Sequence, residues 1–113
     1  MTWESAVRDI LADVDAAPVF ARPDATVEEI VRRLRQPAAA IMLLLIDPLV
    51  PAVDRAMLLA AIGPLATELA PGTRIAAIDI ASGAASADIA AAAHFLAKAQ
   101  STTGQVLRVE AES

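Results

Sequence analysis

The stretch Ala38-Ala39-Ala40-Ile41-Met42-Leu43-Leu44-Leu45-Ile46 is apolar without a break, and Asp47-Pro48 closes it. A strand with one wet face alternates apolar and polar residues. A run without alternation predicts a strand that is dry on both faces, as in the middle of a parallel sheet. At nine residues the run is far short of the about 20 needed to span a membrane.

Downstream, Val53–Ala70 reads as a long helix. Leu58, Ile62, Leu65 and Leu69 recur at helical spacing, and Met57, Ala60, Ala61 and Ala66 widen the stripe almost all round. Gly63-Pro64 lies inside it and predicts a kink; Pro71-Gly72 stops it. Arg74–Ile80 predicts a second strand and Ser82-Gly83-Ala84 a turn. A helix then runs from Ser86 to about Ala99, with Ile89, Ala93 and Leu96 on one face. Gly104 precedes a last strand, Gln105–Glu110.

Upstream, Trp3, Val7, Ile10, Leu11 and Val14 predict a helix after Thr2. Ala17-Pro18 and Arg22-Pro23-Asp24 read as breaks, with Val19-Phe20 as a short extended piece between them. Thr26-Val27-Glu28-Glu29 resembles a helix start, and Arg32, Arg33 and Arg35 suit the dipole at its end, where Gln36-Pro37 follows.

The expected fold is a single α/β domain, a small three-layer-like Rossmann-type half-fold. Residues 1–37 form a helical N-terminal segment, and 38–113 a strand-helix-strand-helix-strand unit. The parallel sheet has three or four strands and right-handed crossovers. If the strands progress in one direction, both crossover helices fall on one face. The N-terminal helices, and in part a partner chain, then have to cover the other. Two open sheet edges invite pairing.

Composition narrows the function. The chain has 57% hydrophobic residues but only 3% aromatics, and a mean hydropathy of +0.54, so some apolar area is expected to stay exposed as an interface. There is no cysteine, which removes disulfides, thiolate zinc sites and Cys nucleophiles. A net charge of −5 with scattered Lys and Arg argues against nucleic-acid binding. Glu4, Arg8 and Asp9 interrupt the start of the chain where a signal peptide would be apolar. A cytoplasmic protein without membrane attachment is the expectation.

Asp47, Asp79 and Glu110 fall at or near the predicted C-terminal strand ends, where open α/β sheets bind ligands. They are candidates for a small-molecule, nucleotide or Mg²⁺ site, or for acid-based chemistry; solvated or turn-capping acids are the plainer reading. His94 is the one histidine, with no Ser, Cys or second base in a recognisable relation to it. Trp3 suits either an interface anchor or packing onto the domain.

From Met57 onward the chain resembles the C-terminal half of a short-chain dehydrogenase/reductase. The resemblance rests on Leu65-Ala66-Thr67-Glu68-Leu69-Ala70, Arg74-Ile75-Ala76-Ala77-Ile78, Asp88-Ile89-Ala90-Ala91-Ala92-Ala93-His94-Phe95-Leu96-Ala97 and Thr103-Gly104-Gln105-Val106-Leu107-Arg108-Val109. Weaker similarity extends to Ala40–Ile46. The departures are chemical. The chain has four unclustered glycines, so the family's Gly-rich dinucleotide loop is missing. It has no tyrosine, and the family's Tyr-x-x-x-Lys positions fall on Pro51 and Arg55. The family's serine is replaced by Ile46 or Asp47, and its nicotinamide-side Pro-Gly by Ile80 and Ala81. The resemblance therefore implies a domain without cofactor or metal, a pseudoenzyme.

In the resembled family the helix matching Val53–Ala70 pairs across a dimer axis. Ala56, Ala60, Ala61 and Gly63 are small enough for close approach. The interface candidates are Met57, Ala60, Ala61 and Leu65, with Val106 and Arg108 on the last strand. The expected partner is a second copy or a full-length reductase-like protein, and the role structural or regulatory.

Overall fold

The computed structural model describes residues 2–100 and 102–111. Helices and strands alternate along the chain: α1 (Trp3–Ile10), β1 (Ala16–Ala21), α2 (Val27–Leu34), β2 (Ile41–Ile46), α3 (Ala52–Leu69), β3 (Arg74–Ile80), α4 (Ser86–Lys98) and β4 (Gln105–Val109). The four strands form one parallel sheet in the order β1-β2-β3-β4. This is a Rossmann-like half-fold.

Of the run Ala38–Ile46 that predicted a strand dry on both faces, Ile41–Ile46 form β2 and are dry on both, whereas Ala38–Ala40 precede the strand, with Ala38 and Ala40 exposed. Every residue of β2 is buried, and it lies between β1 and β3. Ile41, Leu43 and Leu45 point to one side, where they meet Val7 and Leu11 of α1 and Ile89, Ala93 and Leu96 of α4. Met42, Leu44 and Ile46 point to the other, against Ile30 and Leu34 of α2 and Leu58, Ile62 and Leu65 of α3.

That arrangement corrects the expected layering. In a sheet whose strands follow in sequence, crossovers of one hand stack all their helices on one face. α2 and α3 obey this. α4 lies on the opposite face, so the β3-α4-β4 crossover has the hand opposite to the two before it. With α1 and α4 above and α2 and α3 below, β2 needs no partner chain to cover it.

The N-terminal segment is also more than helical. Pro18 lies within β1, which runs six residues where only Val19-Phe20 was expected. The ladder explains why it is tolerated. Ile41 N–H donates to Asp15 O and Asp47 N–H to Ala21 O, so the odd-numbered residues of β1 bond to β2. Pro18 falls in the outward row, where its missing N–H costs no ladder bond. α1 stops at Ile10 rather than near Val14, and Leu11 caps it. α3 stays helical across Gly63-Pro64, where the Thr67 hydroxyl donates to Gly63 O at 3.3 Å. Trp3 packs edge-on against Phe20 with ring centroids 5.7 Å apart, which makes it a packing residue of this domain.

Among the described residues, no helix is long and apolar enough to cross a membrane.

Candidate functional site

The C-terminal ends of β2, β3 and β4 bring together Asp47, Asp79 and Glu110, but not as a set of converging carboxylates. Asp79 is the polar residue in the otherwise apolar run Ile75–Ile80, and it is buried. Its neighbours in register are Ile46 on β2 and Arg108 on β4. A carboxylate in that position needs charge partners. Arg55, from the first turn of α3, donates through Nη1 to Asp79 Oδ1. Arg108 donates through Nη1 to Asp79 Oδ2 at 2.8 Å. Both carboxylate oxygens are therefore taken by guanidinium groups.

The network extends on each side. Arg55 Nη2 donates to Asp47 O at 2.7 Å, tying α3 to the loop after β2. Arg108 Nε donates to Glu110 Oε1 at 2.8 Å. The Arg108 guanidinium is held above its ordinary pKa, first by the Glu110 hydrogen bond and then by Asp79. The Asp47 carboxylate accepts from Leu49 N–H at 2.8 Å and closes its own turn, the plainer of the readings that its position allowed. Among the described residues no group of three or more His, Asp or Glu side chains is placed to hold a metal ion. Arg55 was the residue missed as a partner for Asp79. Its signal was a lone cation in the first turn of a helix that is apolar from Ala56 to Ala66.

The interface candidates divide. Leu65 faces the sheet and is 3% exposed, so it belongs to the core and not to any interface; Ala61 is half-buried. Met57 and Ala60 are on the outer side of α3. They join Val53, Ala56, Gly63 and Pro64 in an exposed face that carries no charge. Val53 is 71% and Met57 51% exposed, and Leu49, in the loop before the helix, is 74% exposed. Val106 and Arg108 are exposed on β4, which forms an edge of the sheet. His94 lies on α4, roughly 12 Å along the helix axis from the end that faces the strand termini.

A protein-family model described as "Short chain dehydrogenase-like protein" matches residues 6–109. No curated protein and no solved structure matches the chain.

Proposed function

The chain belongs to the short chain dehydrogenase-like family, and we propose that it is a non-catalytic member that works by association through the outer face of α3. The observation that carries this reading is the exposed surface made by Leu49, Val53, Ala56, Met57, Ala60 and Pro64, none of them charged. Exposed apolar side chains in a contiguous strip, with small residues between them, are what a helix presents to another protein. The partner is a second copy of the chain or a full-length reductase-like relative, and the role structural or regulatory. A cytoplasmic location goes with this reading.

The non-catalytic half rests on the residues at the strand ends. The chain has no tyrosine. The position that the family resemblance gives to a lysine holds Arg55, whose guanidinium is already engaged by Asp79 and by Asp47 O. A guanidinium committed to a buried carboxylate is a poor proton donor and a poor ribose ligand.

Size-exclusion chromatography with light scattering tests the association. The wild-type chain should run as a dimer, or capture a reductase-like relative in a pull-down. Ala60→Arg should abolish either complex while leaving the circular dichroism spectrum unchanged. A monomeric wild type that captures no partner overturns the reading. The non-catalytic half fails if a nicotinamide dinucleotide raises Tm, since a ligand that binds the native state must stabilise it.

A further inference from the structure

The loop from β2 to α3 is Asp47-Pro48-Leu49-Val50-Pro51, and each of its residues is restrained. Asp47 N–H donates to Ala21 O at 3.0 Å, which ties the loop to β1. The Asp47 carboxylate accepts from Leu49 N–H at 2.8 Å, and Asp47 O accepts from Val50 N–H at 3.0 Å. Asp47 O also accepts from Arg55 Nη2 at 2.7 Å, while Nη1 of the same guanidinium donates to Asp79. The Val50 side chain is buried in the core on the α2 and α3 side of the sheet. Pro48 and Pro51 fix their own φ.

Within that order one side chain does nothing for the fold. The turn uses the N–H of Leu49 and no other part of it. The isobutyl group is 74% exposed, more than Val53 or Met57 on the helix that follows. A polar residue would close the same turn without holding apolar surface in water.

We propose that Leu49 is the anchor of the α3 surface and that Arg55 is the positioning residue that holds it out. This rests on the reading of that surface as the place of association. An apolar side chain on a backbone that is already ordered docks at little cost in conformational freedom. What receives Leu49 is an uncharged, apolar pocket on the partner, because the strip around the leucine offers no charge to pair with one.

Arg55 does what stability alone does not ask for. A buried ion pair is often no more stabilising than apolar packing of the same volume. What a guanidinium adds is a rigid fork that reaches two acceptors at a fixed separation. This fork joins the end of β3 to the turn after β2, so the sheet sets the position of Asp47 O and of the turn built on it. Arg108 holds Asp79 from its other side at 2.8 Å. The position that the family resemblance gives to a lysine thus carries a brace for the association surface.

A double-mutant cycle on the complex tests both residues, with dissociation constants read by sedimentation. Leu49→Ala should leave Tm unchanged, since the side chain packs on nothing in its own chain. It should weaken the complex by about tenfold or more, the factor for one leucine no longer buried. Arg55→Lys keeps a charge beside Asp79 and loses the second arm to Asp47 O. It should weaken the complex by about three- to tenfold, and in the Leu49→Ala background by nothing further, because the brace then has no anchor to hold. Additive losses overturn the positioning role. A Leu49→Ala chain that associates as tightly as wild type, where Ala60→Arg breaks the complex, overturns the anchor and leaves the α3 reading standing. A wild type that forms no complex overturns both. Hydrogen exchange in the Ala60→Arg background reads the brace with no partner bound. The Leu49 and Val50 amides should exchange roughly tenfold faster once Arg55→Lys is added. Equal rates overturn the brace whether or not a complex forms.

Discussion

α2 and α3 lie side by side under the same face of the sheet, yet they are built in opposite ways. α2 is short, strongly two-sided and held by local signals. Thr26 accepts from Glu29 N–H while the Glu29 carboxylate accepts from Thr26 N–H, a complete capping box. Its outer side carries Glu28, Arg32 and Arg33, and Arg35 beyond its end reaches Glu68 at 2.9 Å. α3 is more than twice as long, begins after Pro51 without a side-chain cap, and from Val53 to Pro64 presents apolar residues on its outer side as well as its inner. The difference separates two reasons for a residue to be apolar. On α2 every apolar position is explained by the sheet. On α3 the sheet explains Leu58, Ile62 and Leu65, and leaves Val53, Met57 and Ala60 without an occupant inside the chain.

The inner faces should respond alike, and this is where the largest effects fall. Ile62→Ala on α3 and Leu34→Ala on α2 should each lower stability by about 2–5 kcal/mol in urea unfolding, because both side chains are fully buried and leave a cavity. A much smaller loss at Ile62 would mean that α3 is not seated on the sheet as described. A middle-sized effect belongs to α3 alone. Arg55→Ala leaves one oxygen of the buried Asp79 without its partner while Arg108 keeps the other, so the expected loss is about 1–3 kcal/mol. Equal stability in Arg55→Ala and wild type would show that the network ties nothing together. The smallest effect separates the helices by their starts. Thr26→Ala should cost α2 about 1 kcal/mol of cap stabilisation, measured by thermal unfolding. Pro51→Ala should change stability by less, since no side-chain cap is lost there.

The parts of the fold that were legible in the sequence are those governed by near neighbours. The unbroken run of β2 announced a strand buried on both faces. Thr26 with Glu29 announced the start of α2, and Pro71-Gly72 the end of α3. What was not legible depended on position in the sheet. Pro18 reads as a break in any local window, and only its place in the outward row of an edge strand makes it compatible with β1. The face taken by α4 is a matter of crossover hand, which helical periodicity does not encode. The same holds for the candidate site. Asp79 could be picked out as an acid at a strand end, but Arg55 and Arg108 stand 24 and 29 residues away. Pairing them required the register of three strands. Leu65 shows the converse limit: on a helix apolar nearly all round, sequence alone does not say which stripe faces inward.

The packing of α1 against α4 sets an order of events during synthesis. Each of the later helices can settle on strands that precede or immediately follow it. α1, the first of the elements to leave the ribosome, finds most of its seat on α4, with Val7 and Leu11 resting among Ile89, Ala93 and Leu96. Those residues are made some eighty positions later. Phe20, Leu43 and Leu45 on that side of the sheet therefore have to wait for their full cover until α4 has been made. The interval in which their apolar surface is exposed is the interval in which this small protein most needs a chaperone.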